Sequence, residues 1–333
     1  MGEEEMMDYS ALNKRMTGIL EKTFAYNFAA NHARIRKEFL HEDMSITSIP
    51  RAPTGRIGPA MVLGSGASLD DHIEDVNNFA GPIFCSPSQL NILAFHDIRQ
   101  TFVVSVDAAE VVAEQIGNRE DYAAVLLTHP GVSPLAIEAW KGLKRYFNVD
   151  AGTGGSTMTA AYPWIRKSFP LFGSVSNMGV QIAAWMGYSP IFLVGVDYCF
   201  CGGKTRATNY NRRGPYWYDS IPAPSIDSTS EGTTPEMRFY VLLLLCLWKL
   251  HRLNLCVIGD GALEGILPSE ATEYDPIQFD PLVDSITEPE GIYAEILPGN
   301  QGRLHFAQDD QNEDWEWFQD QNGLWARVKE NMK

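Results

Sequence analysis

The residues with the clearest chemical potential form a turn of small residues between an apolar run and a helix. The apolar run Met61–Leu63 ends at Gly64-Ser65-Gly66, and a helical pattern begins directly after Ser68. A helix start offers unpaired N–H groups at the positive end of the helix dipole, and glycines let a phosphate come close. A tight turn without any ligand is the alternative interpretation. The candidate nucleotide-binding residues of this first loop are Gly64, Ser65, Gly66, Ser68 and Leu69.

A second helix start of this kind lies at Gly173-Ser174-Val175-Ser176-Asn177, after which the pattern is strongly helical. Its hydroxyls and N–H groups predict a second anion-binding turn. In the alternative interpretation, Ser176 or Asn177 is only the N-cap of the helix. The candidate nucleotide-binding residues here are Ser174, Ser176 and Asn177.

Polar or acidic residues also follow three further runs that we predict to be strands. Parallel sheets bind ligands beyond the carboxyl ends of their strands, so these residues are expected near one edge. The acids Asp107 and Asp197 would each hold a ribose hydroxyl or, if the reaction depends on magnesium, a Mg²⁺ ion. The alternative is that each acid caps the following helix or turn. The strand-end candidates are Ser105, Asp107, Thr128, His129, Gly195 and Asp197.

A long segment, Cys201–Thr234, combines cations with aromatic residues and is rich in Gly, Pro, Ser and Asn. Connections of this length in compact domains are usually lids or binding loops. Cations clamp phosphates, and aromatic rings stack on sugars or heterocycles. The same mixture would suit a nucleic-acid strand, and a surface loop packed on the domain is the third interpretation. The candidate residues for the phosphate or the acceptor are Lys204, Tyr210, Arg212 and Arg213, beside Arg206.

Three familiar motifs fail on inspection. The first loop has Leu69 where a dinucleotide fingerprint requires its third glycine, and no acid follows the second strand, so NAD(P) is disfavoured. The run "CGGKT" ends like a P-loop, but Tyr198 stands where the earlier glycine is required. Cys199 and Cys201 lack the second Cys/His pair that would complete a zinc site.

Short β-rich runs alternate with helical patterns through the middle of the chain. Near-continuous apolar strands separated by amphipathic helices indicate a parallel sheet covered on both faces. The sequence therefore predicts an α/β fold with a Rossmann-like, doubly wound, mostly parallel sheet. The predicted strands are 60–63, 82–85, 101–106, 123–128, 145–149, 191–196 and 253–258, and the predicted helices are 69–78, 88–95, 108–116, 134–143, 177–187 and 235–250.

The chain divides into three parts. Residues 1–50 form an N-terminal helical segment, and residues 51–265 form the Rossmann-like nucleotide-binding or transferase domain, with an insertion at 201–234. Residues 266–333 are an acidic, aromatic extension that we expect to close on a short helix.

Composition limits the partners and the compartment. The net charge of −16 makes broad contact with nucleic-acid backbones unexpected, although nucleic acid stays open as an acceptor. The longest apolar run, Val241–Trp248, is too short to span a bilayer, and the acidic start "MGEEEMMDYS" is unlike a signal peptide. Five cysteines, mostly in apolar settings, predict free thiols and a cytoplasmic location.

Three runs, "MVLGSGASLDDHI", "TFVVSVDAA" and "GSVSNMGVQIAAWMGYSPIFLVGVDYCFCGGKT", resemble in order and spacing the MptE-like 6-hydroxymethylpterin diphosphokinase family. That family is similar to the Maf motility-accessory glycosyltransferases and, more distantly, to bacterial sialyltransferases. The resemblance covers roughly residues 59–265. It implies a Rossmann-like domain that binds a nucleotide or nucleotide-sugar donor through the Gly64–Leu69 loop and the Gly173–Asn177 turn.

The chain departs from the family pattern at one informative place. Arg206 stands where the family commonly has a histidine after Gly-Lys-Thr, and no histidine lies between His129 and His251. Sialyltransferase-like members use a histidine of the insertion as general base, so an acid or His129 would have to supply this role. The resemblance and the strand ends give four catalytic candidates: Asp197, Tyr198, Arg206 and His129.

Three functions are consistent with these observations. The favoured one is a transferase with a nucleotide-activated donor, specifically a glycosyltransferase. The alternative is an ATP- and Mg²⁺-dependent diphosphokinase of the 6-hydroxymethylpterin type, with Asp107 and Asp197 as metal ligands. The third is a non-catalytic binding protein that kept the nucleotide fold. The sequence leaves the acceptor open, and a homo-oligomer is open as well.

Overall fold

The computed structural model describes residues 9–51, 57–117, 124–150, 162–170, 173–200, 206–208, 235–259, 261–263, 267–269, 292–297, 301–306, 315–320 and 323–328. Seven strands form the central sheet: β1 (Gly58–Leu63), β2 (Ile83–Cys85), β3 (Phe102–Ser105), β4 (Val125–Thr128), β5 (Lys144–Tyr146), β8 (Tyr188–Val194) and β9 (Leu255–Ile258). The helices are α1 (Tyr9–Phe39), α2 (Ile73–Asn78), α3 (Leu90–Phe95), α4 (Val111–Ile116), α5 (Pro134–Ala139), α6 (Val175–Met186) and α7 (Pro235–His251).

Both faces of the sheet are covered, which is why most of its strand residues are apolar and buried. Successive side chains of a strand point to opposite faces. Val62 of β1 accordingly joins the core cluster that contains residues of α6 and α7, whereas Met61 and Leu63 join the cluster of α2 to α5. All seven strands are parallel, which confirms the predicted Rossmann-like, doubly wound α/β fold.

The strand order β5-β4-β3-β2-β1-β8-β9 places a topological switch point between β1 and β8. The chain builds outward from β1 to β5 and then returns to the other side of β1 as β8. Leu63 and Val194 are paired at the carboxyl ends of these two strands. In open α/β sheets, ligands bind in the crevice at such a point. The loops after β1 and β8 therefore border the position where a ligand is expected.

Helix α1 lies against a different part of the carboxyl edge of the sheet, over the loops that follow β3 and β4. The amide of Asn27 donates to the carbonyl oxygens of Ala108 and Gly131, at 3.0 and 2.9 Å. The amide of Asn31 donates to those of Pro130 and Val132, at 2.9 and 2.8 Å. Both asparagines are buried, so α1 is fixed to the loops after these two strands by specific polar contacts.

Two local expectations were wrong. The strand predicted at 145–149 is two strands, because β6 (Asn148–Asp150) leaves the main sheet to pair with β7 (Ser168–Pro170). The C-terminal extension contains no helix in its described part. It holds two antiparallel hairpins, β10 (Ile292–Leu297) with β11 (Gln301–Phe306) and β12 (Trp315–Asp320) with β13 (Gly323–Val328). Aromatic-rich runs such as "WEWF" favour strands, which explains the second error.

Several helices begin later or end earlier than predicted. A 3₁₀ turn, Ala67–Asp70, precedes α2, and a second one, Pro87–Gln89, precedes α3. Among the described residues, no helix combines the length and apolarity needed to cross a membrane. The cysteines at 85, 199, 246 and 256 are free thiols.

Candidate functional site

The loops after β1 and β8 touch through their backbones. The Gly64 amide donates to the Val194 carbonyl oxygen at 2.8 Å, and the Gly66 amide donates to that of Gly195 at the same distance. A methyl group at Gly64 would overlap the Gly195 carbonyl, so glycine is required there for close backbone approach. Gly195 itself has a φ of +66°, a conformation that glycine adopts without strain. The structure thus brings the predicted Gly64, Gly66 and Gly195 together.

The carboxylate of Asp197 occupies the first loop. Its Oδ2 accepts the Ser68 amide at 2.9 Å and its Oδ1 accepts the Ser68 hydroxyl at 2.5 Å. Asp197 is only 4% exposed, and a methyl group at Gly66 would overlap its carboxylate. The amide that we expected to bind a phosphate therefore already binds an anion of the protein. This corrects the expectation that Asp197 faces a ribose, a metal or a substrate proton.

Ser65 lies at the centre of a group of hydroxyls over the ends of β1 and β2. Its Oγ is 2.9 Å from Ser88 Oγ and accepts a hydrogen bond from Gln89 Nε2 at 2.6 Å. Ser86 Oγ lies 2.6 Å from Ser88 Oγ, and Ser86 and Gln89 form a capping box around the 3₁₀ turn. Sequence reasoning passed over this group because it looked only for an acid after β2. The run Ser-Pro-Ser-Gln was the signal that could have found it. Leu69 is a fully buried core residue.

The start of the insertion is fastened to the first loop. The Ala207 amide donates to the Ser65 carbonyl oxygen at 3.0 Å. Both the amide and the hydroxyl of Thr208 donate to the Asp70 carboxylate, at 2.8 and 2.7 Å. Arg206 is therefore held beside the first loop, half-buried, as a candidate phosphate ligand. The other insertion candidates, Lys204, Tyr210, Arg212 and Arg213, lie outside the described residues.

The second helix start is closed by its own hydroxyl. Ser174 is the N-cap of α6, and its Oγ accepts the Asn177 amide at 3.1 Å. The Tyr198 hydroxyl lies 2.7 Å from Ser174 Oγ and donates to Asn177 Oδ1 at 2.8 Å. Burial raises the pKa of Tyr198 well above its usual value, so the phenol stays a neutral donor. The N-cap is thus Ser174 rather than Ser176, whose hydroxyl makes a long, 3.5 Å contact with the Leu63 carbonyl.

A narrow cleft lies between α6 and the carboxyl ends of β1, β2 and β3, and it is too small to admit a water molecule. Its walls are apolar except for serine hydroxyls, and none of its lining residues carries a charge. The lining residues are Val62, Leu63, Phe84, Cys85, Ser86, Val104, Val175, Ser176 and Gly179.

The candidate residues Ser105, Thr128 and His129, at the ends of β3 and β4, are buried in the protein core. His129 is fully buried, with Nε2 3.1 Å from the Val106 carbonyl oxygen and Nδ1 accepting the Gly131 amide at 3.1 Å. Burial lowers the pKa of His129 to about 4, so its imidazole is neutral. With both ring nitrogens bonded, His129 is a core residue and not the base we expected. Thr128 and Ser105 are also buried; the Thr128 hydroxyl bonds the Ser105 carbonyl oxygen, and the Ser105 hydroxyl has no hydrogen-bond partner.

Asp107 and Asp197 are not brought together. Asp107 is exposed and its carboxylate accepts the Ala109 amide at 2.9 Å, the capping role that was the alternative interpretation. β3 and β8 are separated by β2 and β1. Three interstrand spacings of about 4.8 Å put the two strand ends roughly 14 Å apart. One Mg²⁺ ion cannot contact both carboxylates, and the described residues hold no group of three potential metal ligands.

Comparison with known proteins agrees with the resemblance found in the sequence. The family described as 6-hydroxymethylpterin diphosphokinase MptE-like matches residues 26–203, slightly more than half of the chain. Among solved structures, a Maf glycosyltransferase from Magnetospirillum magneticum AMB-1 is similar, with 20% sequence identity and a TM-score of 0.48. The match covers 64% of this chain and 33% of that protein, so the chain spans about a third of its length. No curated protein matches the chain.

Proposed function

The chain belongs to the 6-hydroxymethylpterin diphosphokinase MptE-like family, and from that premise we propose that it is a transferase acting on a nucleotide-activated donor, specifically a glycosyltransferase. Family membership supports a nucleotide-using transferase in general. The observation that carries the proposal is the meeting of three polar segments at the switch point: the first loop, the loop after β8 and the start of α6.

The surface over the carboxyl ends of β1 and β2 suits the nucleoside part of the donor, because it presents serine hydroxyls. The half-buried hydroxyls of Ser65, Ser88 and Ser176 at the strand ends would bond ribose or base edges. The Ser65 and Ser88 hydroxyls lie 2.9 Å apart at these strand ends. Because Asp197 fills the amide site of the first loop, the donor phosphate belongs further out, toward the insertion.

We assign Arg206 as a cation that binds this phosphate. It is held beside the first loop by the contacts of its neighbours Ala207 and Thr208. Tyr198 instead supports the start of α6, because its single phenol proton is donated to Asn177. Lys204, Arg212 and Arg213 join this proposal as further cations. Catalysis would consist of positioning the donor and neutralising the charge on the departing phosphate.

A diphosphokinase is the second candidate, since the description of the family names one. That reaction uses Mg²⁺ to bridge the ATP phosphates. The two carboxylates expected to hold the ion are directed elsewhere, Asp197 into the first loop and Asp107 onto a backbone amide. Their placement favours glycosyl transfer.

Thermal-shift measurements with CMP, UDP, GDP, AMP and ATP, with and without Mg²⁺, test the proposal. A rise in Tm with CMP, UDP or GDP supports glycosyl transfer, and a Mg²⁺-dependent rise with ATP supports the kinase. Arg206→Gln should reduce the shift. Arg99→Gln is the matched control, because Arg99 is an exposed arginine just before β3, at the opposite edge of the sheet. No shift with any nucleotide would leave the non-catalytic interpretation.

A further inference from the structure

One histidine beside the loops that follow β1 and β8 has no role in the proposed reaction. His72 precedes α2, and its Nδ1 lies 2.9 Å from Asp75 Oδ2. The His72 side chain is 27% exposed, so solvent reaches the ring. A His-Asp pair three residues apart on a short helix is ordinarily a surface ion pair, and only its surroundings give this one another meaning.

Those surroundings are the first loop and the end of β9. A methyl group added at Gly259, just after β9, would lie 3.1 Å from His72 Nε2 and 3.0 Å from Ser68 Oγ. The ring nitrogen and the hydroxyl therefore lie no more than about 6 Å apart, on the same side of Gly259. That serine hydroxyl is the one bonded to Asp197. His72 thus stands at the switch point, on the β9 side of the first loop, while the cleft is on its β2 side.

The contact with Asp75 fixes the chemistry of the ring. A carboxylate only accepts hydrogen bonds, so the neutral imidazole carries its proton on Nδ1, and the lone pair lies on Nε2. A partly exposed imidazole oriented by a carboxylate is the arrangement of a general base. His129 differs in this respect, because both of its nitrogens are bonded to the backbone inside the core.

We propose that His72, oriented by Asp75, is the general base of the transfer reaction, in place of the histidine that the insertion lacks. This inference rests on the proposed glycosyl transfer. Nε2 removes the proton from the acceptor hydroxyl as its oxygen bonds to the anomeric carbon of the donor sugar. The bond from that carbon to the phosphate oxygen breaks, and its electron pair leaves with the nucleotide phosphate. The acceptor approaches from the β9 side of the first loop.

Donor hydrolysis tests this role without knowledge of the acceptor, because water serves as the acceptor hydroxyl. The probes are a panel of CMP-, UDP- and GDP-sugars, with release of the free nucleotide as the readout. His72→Gln should lower kcat about 100-fold or more while KM changes less than twofold. Asp75→Asn should cause a smaller loss. His96→Gln is the matched control, since His96 is an exposed histidine at the end of α3, and it should leave both constants unchanged.

Chemical labelling gives a readout independent of turnover. Diethyl pyrocarbonate acylates accessible, unprotonated imidazole nitrogens, so peptide mapping should find His72 modified much faster than the buried His129. Slow labelling of His72 would overturn the proposal. So would nucleotide binding with wild-type donor hydrolysis in His72→Gln. If no nucleotide binds and no donor is hydrolysed, the proposed function itself fails, which is a distinguishable result.

Discussion

The carboxyl edge of the sheet has two halves, and the loops of the two halves make different hydrogen bonds. At β1 and β8, the loops bond to each other, with Asp197 joined to Ser68. At β3 and β4, helix α1 lies over the loops, and Asn27 and Asn31 bond their carbonyl oxygens. We refer to these as the interlocked half and the covered half.

The difference shows where a ligand has room to act. In the covered half, the backbone acceptors of the loops are used by α1, and His129 is packed near Phe24 and Phe28. The interlocked half keeps Ser65, Ser88, Arg206 and His72 in partly exposed positions. A strand end with a polar residue therefore indicates a site only where no other element covers it.

The largest effect is expected for Gly64→Ala, which tests whether the interlocked half depends on close backbone contact. The added methyl group overlaps the Gly195 carbonyl, and backbone cannot move aside as a side chain can. We expect a loss of about 4 kcal/mol or more in the free energy of unfolding, or failure to fold. Urea unfolding measures it. Gly179→Ala is the control: its methyl group would meet the side chains of Val62 and Phe84 rather than backbone, and alanine favours the helix, so the change should stay below about 1 kcal/mol.

Next comes Asp197→Ala, which would leave two buried donors of Ser68 without an acceptor. We expect a loss of about 3 kcal/mol, and a smaller loss for Asp197→Asn, which keeps an acceptor oxygen. Asp107→Ala, at the exposed strand end, should cost about 1 kcal/mol or less as a lost cap. Equal losses for Asp197→Ala and Asp107→Ala, measured by urea unfolding, would remove the distinction between the two halves.

The pH dependence of stability probes the covered half. Burial lowers the pKa of His129 to about 4 from an ordinary 6.5, so below pH 6.5 the unfolded chain binds a proton that the folded chain does not. The contribution of His129 to the free energy of unfolding is fully present above pH 6.5 and falls as the pH drops toward 4. His129 alone accounts for a loss of about 2 kcal/mol by pH 5.

His251, whose pKa burial also lowers to about 4, adds to this dependence in the same direction. Urea unfolding at pH 7.5 and pH 5 should therefore give a smaller difference for His129→Gln than for the wild type. An unchanged difference would mean that His129 is protonated within the fold.

Asn31→Ala should have an intermediate effect confined to the covered half. Two carbonyl oxygens lose a buried donor, so we expect a loss of about 1–2 kcal/mol. The control on the same helix is Arg34→Ala, whose contacts with Pro134 and Glu138 are exposed and should be worth less than about 0.5 kcal/mol. Nucleotide-induced thermal shifts should be the same in both variants. A lost shift in Asn31→Ala would place the ligand in the covered half.

The smallest change in stability is expected for Thr208→Val, which removes the exposed hydroxyl bond to Asp70. The free energy of unfolding should fall by less than about 1 kcal/mol. Nucleotide affinity should fall several-fold, because the neighbouring Arg206 loses part of its anchorage. Isothermal titration measures this change, and full affinity would argue against Arg206 as a phosphate ligand.

Much of the fold was predictable because buried parallel strands are continuous apolar runs. The strands from β1 to β4, with β8 and β9, were all placed from this pattern. The prediction was wrong at 145–149, where residues of one short β-rich run belong to two different sheets. Whether a β-rich run joins the main sheet depends on its partner strand, which short-range patterns do not contain.

The site was less predictable, for the same physical reason. The bond between Ser68 and Asp197 joins residues 129 positions apart. Each residue separately looked like a ligand, and nothing local shows that they satisfy each other. His72 was missed because histidine three residues before an acid is common on helix surfaces, and only the approach of Gly259 places it at the switch point.

Helix α1 can dock only after a large part of the sheet has been synthesised. Its asparagines find their partners 81 to 104 residues further along the chain, so the ribosome has made β4 and the following loop before α1 can dock. Until then, Phe28 cannot make the ring contacts with His129 and Tyr162 that it has in the finished fold. The nascent chain therefore exposes apolar side chains of α1, and such transiently exposed surface is what chaperones protect.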